Sequence, residues 1–499
     1  MTRPLQRALM QGVVSLLLWV ALPGQGQAAR TRPDYDFGFV ASKGTDVHGH
    51  TRQRALGPLW ENASSTQGWH LAALRPFYSG YELPAEEIAG QDYLWPLATR
   101  RQRGNEDLDR YLIFFNFRHD DPDRTTGKRR YRFWLLPFYF QGRDKDGINY
   151  KAIFPLGGTI REFAGRDEIN FILFPLRVTS KLNDLRSSSW LWPIASRTTG
   201  DGVDMRRLFP LYGRYTRVGA YEKKFILWPF WTQARYDYRK SSGKGFILFP
   251  LFGHMKLTDQ ETWWLLPPFG RYTKGEKMDR LYAPWPFIQY SRGPVDKLFI
   301  WPLWGHKKVG GLERTFYLWP IFWDEHITRG EEVEHRVIAA PFFMNLRSSS
   351  LTQPEQPPRI RASKVWPLYS YRRVEQDSRF RMLELWPFSE AAAVERNWAP
   401  WWSIITRNRH GNNRDWEVLW GLYRQAARED GGRYWSLFPL FERYREGDGS
   451  RGWSILKGLL GSEGLDSQRQ FRLLYFMRFG KDPERAPLLP ESQNSTTPR

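Results

Sequence analysis

The chain has 499 residues, a formal net charge of +21, 16% aromatic residues and no cysteine. So high an aromatic content excludes a disordered basic tail. The absence of cysteine excludes a disulfide framework, thiolate metal sites, a cysteine nucleophile and a lipidated cysteine.

In chain order, the first element is an export signal over residues 1–28. Arg3 and Arg7 form a basic start, an apolar run extends from Val13 to Leu22, and Gly26-Gln27-Ala28 supplies small residues for cleavage after Ala28. No later stretch approaches the length of apolar chain that a spanning helix needs, so helical membrane spans are not expected.

From about residue 29 to 479 the chain is one repetitive domain. The phrase "FILWPFW" at Phe225 to Trp231 returns as "FILFPLF" at Phe246 to Phe252 and, loosened, as "LFIWPLW" at Leu298 to Trp304. Its proline recurs at Pro96, Pro137, Pro175, Pro193, Pro210, Pro229, Pro250, Pro286, Pro302, Pro320, Pro367, Pro387 and Pro439, and also at Pro58, Pro76, Pro155, Pro267, Pro341 and Pro400. Gly38, Asn116, Gly421, Lys457 and Phe476 fill the gaps in the series, and the period is about 19 residues. Two intervals are irregular: Pro341 to Pro367 holds a polar insertion over 346–362, and Pro387 to Pro400 is short. Residues 480–499 carry no repeat and are expected to be disordered.

Apolar and aromatic residues flank each proline, and polar turns such as "KSSGKG" separate the units. These are strand and turn signals, with no helical period. They predict an all-β, repetitive antiparallel β-array of about 24 strands, each extended over about 13 or 14 residues, closed as an up-and-down β-barrel. On this reading the proline lies in mid-strand, where it cannot donate to the ladder and therefore marks a line of bends.

With its export signal, long antiparallel strands and abundant Trp and Tyr, the chain resembles Gram-negative outer-membrane β-barrel proteins in architecture, over nearly all of the mature sequence and without a family motif. The resemblance implies residence in the outer membrane, contact with membrane lipid or lipopolysaccharide, and a role as a pore or as a lipid- or anion-interacting structural protein. The prolines, the apolar residues on both strand faces and the even loop lengths favour an alternative. This is a soluble periplasmic or peripheral array whose basic hairpins bind lipopolysaccharide, anionic lipid or polysaccharide.

A cation recurs a few residues after the proline, at Arg100, Arg197, Arg214, His254, Arg271, His306 and Arg443. These are the candidate lipid- or anion-contacting residues, with an anionic solute or polysaccharide as further partner. The plainer reading is that they are solvated strand ends flanking an apolar band. His48 and His50 form an isolated H-x-H in a polar turn, a pattern more often incidental than metal-binding. No nucleophile elbow, phosphate loop, metalloprotease or dinucleotide motif occurs, so neither an enzyme nor a cofactor is expected. Export argues against nucleic acid as partner.

Overall fold

The computed structural model describes residues 31–480, apart from 105, 113, 123–128, 354 and 466–467. The expected export signal and all but the first residue of the expected tail lie outside them. The described chain is a single antiparallel sheet of 46 strands, each two to eight residues long, in which every strand pairs with its neighbours in sequence. The first and last strands do not pair with each other, so hydrogen bonds do not close the sheet.

The strand count is nearly double the expected 24, and the prolines explain why. Each anticipated long strand is two short ones, and the proline phrase is the turn between them. Phe209, Pro210 and Leu211, for example, link the strand Val203–Leu208 to the strand Tyr212–Arg217. In the turn Leu191-Trp192-Pro193-Ile194 the Trp192–Pro193 bond is cis, and the N–H of Ile194 donates to the carbonyl of Leu191 at 2.7 Å. This is the type VI turn, with proline in its third position. Twelve of the thirteen prolines singled out as the structural repeat, Pro387 excepted, follow a cis bond in such a turn.

A proline at a turn costs the ladder nothing. Its carbonyl is used as well: Trp192 N–H donates to Pro175 O, Trp228 to Pro210 and Trp319 to Pro302, each at 2.7 Å. Neighbouring turns are thus stitched together along the margin. Rings before the prolines continue the contact, with centroids 5.1 Å apart for Phe154 and Phe174 and 5.7 Å apart for Trp301 and Trp319.

Four positions depart from the repeat: Pro267, whose place in the turn is taken by Pro268 after a cis bond, and Asn116, Pro387 and Pro400. Asn116 lies inside the strand Phe115–Pro122, and the turn falls before it, around Leu112 and Phe114. Pro387 and Pro400 belong to an excursion between the strands Asp377–Met382 and Ile405–His410, which carries the short helices Ala392–Asn397 and Ala399–Trp402. Pro400 sits in the first turn of the second helix, where its missing N–H is harmless. Within the insertion after Pro341, residues 346–350 and 360–362 are strand, and the described residues between them form a loop on the polar margin.

Cross-strand partners point to the same side of a sheet, so pairing assigns every strand residue to a face. With Gln53 and Gly80 the exceptions, the buried strand residues all fall on one face, from Asp36 and Ser42 through Phe140, Ala152, Phe171 and Phe225 to Ser436. We call this the inner face. It has one apolar cluster, formed by Trp134, Phe140, Ala152, Ile160 and Phe171. Elsewhere it is mainly polar: among the described strand residues of this face outside the cluster, 16 buried side chains are polar or charged against 8 apolar ones.

The sheet folds back so that inner face meets inner face. Arg54 reaches Glu417 at 2.8 Å, Arg424 reaches Asp36 at 2.9 Å, and the Tyr434 hydroxyl donates to Asp36 at 2.7 Å. The helical excursion fills the gap beside them. Asn397 donates to Asp92 at 2.9 Å and its amide oxygen accepts from the Ser79 hydroxyl at 2.8 Å, and Arg396 lies 3.1 Å from Asp92.

Candidate functional site

The turns alternate in chemistry because the strands alternate in direction. All the apolar turns fall on one margin of the sheet and all the polar turns on the other, so that, with the helical excursion set aside, 22 apolar tips form a single rim among the described residues. Residues following the prolines project from it, with Phe138 60%, Leu156 59% and Phe230 57% exposed. An exposed apolar surface this long and continuous marks an interaction site.

The backbone of the rim sharpens that inference. Leu94, Leu173, Leu191, Leu227, Leu266 and Leu318 open their turns with φ between +41° and +49°. A left-handed leucine costs about 1–2 kcal/mol relative to a residue that tolerates the conformation, such as Gly or Asn. Burial within the fold does not offset this cost, because all six side chains are exposed.

Behind the tips, the outer face is layered. The first outward row reads Trp190, Ala195, Leu208, Tyr212, Ile226, Trp231, Leu248 and Phe252 as successive cross-strand partners. Two residues deeper, the row reads Arg197, Arg206, Arg214, Lys224, Gln233, Phe246 and His254. Deeper still come Asp204, Thr216, Glu222, Arg235, Lys244 and Lys256. From the rim inward, this part of the outer surface passes from apolar to mainly cationic, and then to mainly charged residues of both signs.

Six of the seven candidate cations, Arg100, Arg197, Arg214, His254, His306 and Arg443, occupy that second outward row. Arg271 does not. The true turn proline of its unit is Pro268, which follows the cis Pro267–Pro268 bond, so Arg271 stands three rather than four residues beyond it. A one-residue shift reverses the face. Arg271 accordingly lies inward, paired with Trp264 and Tyr282, its guanidinium 5.6 Å from the Trp264 ring centroid; burial, then repulsion from Arg280, pushes its pKa down.

The glycine before the cation faces inward where the register holds. At Gly305 a Cβ would come within 2.2 Å of the Phe316 ring, its cross-strand partner, so the ring needs the glycine. The outward cations are partly paired: Arg214 with Glu222 at 2.9 Å, Arg100 with Asp109 at 3.4 Å, and His254 with Glu261 at 2.7 Å while stacking on Trp263. Such exposed pairs are weak and exchange readily for other anions.

A second candidate is the cavity of about 880 Å³ between the folded-back layers. Arg54, Glu61 and Arg75 line it from one side, and Arg381, Glu395 and Glu417 from the other. Its charges are consumed internally. Arg75 pairs with Glu61 at 2.6 Å, and Arg381 holds Glu395 through two bonds of 2.7 and 2.9 Å. Burial raises the pKa of Glu61, but the Arg75, Arg52 and Arg54 guanidiniums outweigh it and bring the carboxyl down to about 2. Glu417 is lowered by the same balance, with burial opposed by Arg54 and Arg424. The cavity is a charged structural core, and sequence reasoning missed it because its two walls, joined by Arg54 and Glu417, lie more than 300 residues apart.

No protein-family model matches the chain, and no curated protein matches it in sequence.

Proposed function

We propose that this is an exported envelope protein that stands on a lipid surface, with the apolar rim embedded in one leaflet and the second outward row at the level of the headgroup phosphates. The observation that carries this reading is the row of left-handed, exposed leucines, an energetic cost that the fold itself does not recover. A lipid phase supplies the missing term: each Leu or Phe transferred from water gains about 1.5–3 kcal/mol. Outward Arg and Lys add about 1 kcal/mol each near an anionic surface, and their stems reach across the interface.

The layering favours peripheral attachment over a spanning barrel. A spanning strand needs about 9–11 residues with a lipid-facing apolar band along its length. Here the strands have at most eight residues, and the third outward row is charged. The outer membrane or the periplasmic face of the envelope is the proposed location, and lipopolysaccharide or anionic lipid the proposed partner.

Sedimentation of the mature chain with lipid vesicles tests this. It should bind neutral vesicles weakly and anionic vesicles at least tenfold more tightly, without making them conductive. No binding to either kind would overturn the proposal, and ion conductance with detergent-resistant, heat-modifiable gel mobility would establish the spanning barrel instead.

A further inference from the structure

The polar margin of the seam brings together side chains that the sequence keeps far apart. His48 stands in the turn after the strand Ala41–Thr45, whereas Asp377 and His410 are cross-strand partners on the strands Asp377–Met382 and Ile405–His410. His410 Nδ1 lies 2.7 Å from Asp377 Oδ1, and His48 Nε2 lies 3.7 Å from the same oxygen. The two imidazoles are 4.7 Å apart between centroids. One ligand atom from each of the three residues falls within 4.8 Å of the others. His50 stacks on His48 at 5.5 Å and is itself 3.6 Å from Asp46, so the turn that carries His48 is held from behind.

We propose that His48, Asp377 and His410 bind a divalent transition metal, zinc by preference, which clasps the first strands of the sheet to the last. Two imidazoles and a carboxylate suit zinc, whose ligand distances of about 2.0–2.2 Å require only a small inward movement of these atoms. Three protein ligands leave the fourth tetrahedral position to water, as an exposed site permits. The clasp matters because no backbone ladder joins the two ends of the sheet: a metal there links segments more than 320 residues apart that side chains alone otherwise hold. A site that exists only when the ends are apposed stabilises the apposed state by mass action.

Asp324, His326 and His335 form a comparable group on two adjacent outer strands. That group joins nothing remote, so it serves as the internal control. The experiment titrates zinc into the mature chain, purified without a histidine tag, by calorimetry, alongside His48→Ala, His410→Ala and His326→Ala, with hydrogen exchange followed over 46–50 and 405–413.

The expected result is saturable binding in the parent chain and in His326→Ala, weakened at least tenfold in both His48→Ala and His410→Ala. Zinc should slow exchange in both segments together in the parent and in His326→Ala, and in neither seam variant. Because His48 is exposed and His410 only half-buried, the alanine variants should retain the parent circular dichroism. Binding that survives both seam substitutions, or zinc binding that leaves exchange at the seam unchanged, overturns the clasp.

Discussion

A leucine at φ near +47° is a poor choice for a turn and a good one for a lipid anchor, and Leu227 separates the two roles. Asn tolerates the left-handed region and adds little unfolded-state entropy. Leu227→Asn should therefore leave stability unchanged or raise it by about 1 kcal/mol, while weakening vesicle binding about tenfold. Chemical denaturation and sedimentation read the two effects separately. At the seam, Arg75 is almost wholly buried against Glu61. Arg75→Ala removes the direct partner of a buried carboxylate, leaving it only Arg52 at 3.8 Å and the more distant Arg54, and should cost about 3 kcal/mol in urea unfolding. The pH dependence follows from the same pair. Glu61 titrates at about 2 in the folded chain against an ordinary 4.5, so its contribution is fully present above 4.5 and is lost as pH falls toward 2. Thermal melts should show that acid slope, and Glu61→Gln should flatten it. Arg271 shows how fine the limit of sequence reading is at this scale: counting from Pro267 rather than Pro268 groups it with cations that lie on the opposite face.

At the level of the element, the repeat was legible in the sequence and its geometry was not. Apolar residues on both sides of the proline read as one long strand, because a leucine carries no turn signal and an uninterrupted run of apolar residues gives no period to break. The polar turns, rich in Gly, Asp and Lys, were recognisable from composition, and the antiparallel order followed from them. The two helices of the excursion, six and four residues long, are too short to show an amphipathic stripe. The rim and the cation row make distinct predictions. Replacing Phe138, Leu156 and Phe230 with Ser should weaken binding to neutral and anionic vesicles alike by at least a hundredfold. Stability should change little, because the side chains are exposed. Replacing Arg197, Arg206 and Arg214 with Gln should weaken binding to anionic vesicles by about a hundredfold, spare neutral ones, and reduce the salt dependence.

At the scale of the whole molecule, the sheet is long because each hairpin offers an edge to the next, and it folds back because its polar inner face can satisfy itself only against another polar surface. That long-range pairing left no local trace in the sequence: Arg54 finds Glu417, and Asp36 finds Arg424, across most of the chain. Folding back leaves the apolar tips aligned on one margin, and a single embedded margin is the central claim. The absence of cysteine makes it directly testable. Single cysteines at Leu156, on the apolar rim, and at Val218, 81% exposed on the polar margin, would each carry an environment-sensitive fluorophore on the vesicle-bound protein. Peripheral attachment by the rim predicts a blue-shifted, quencher-protected probe at residue 156 and a water-exposed probe at residue 218. A water-exposed probe at residue 156 on bound protein would contradict it.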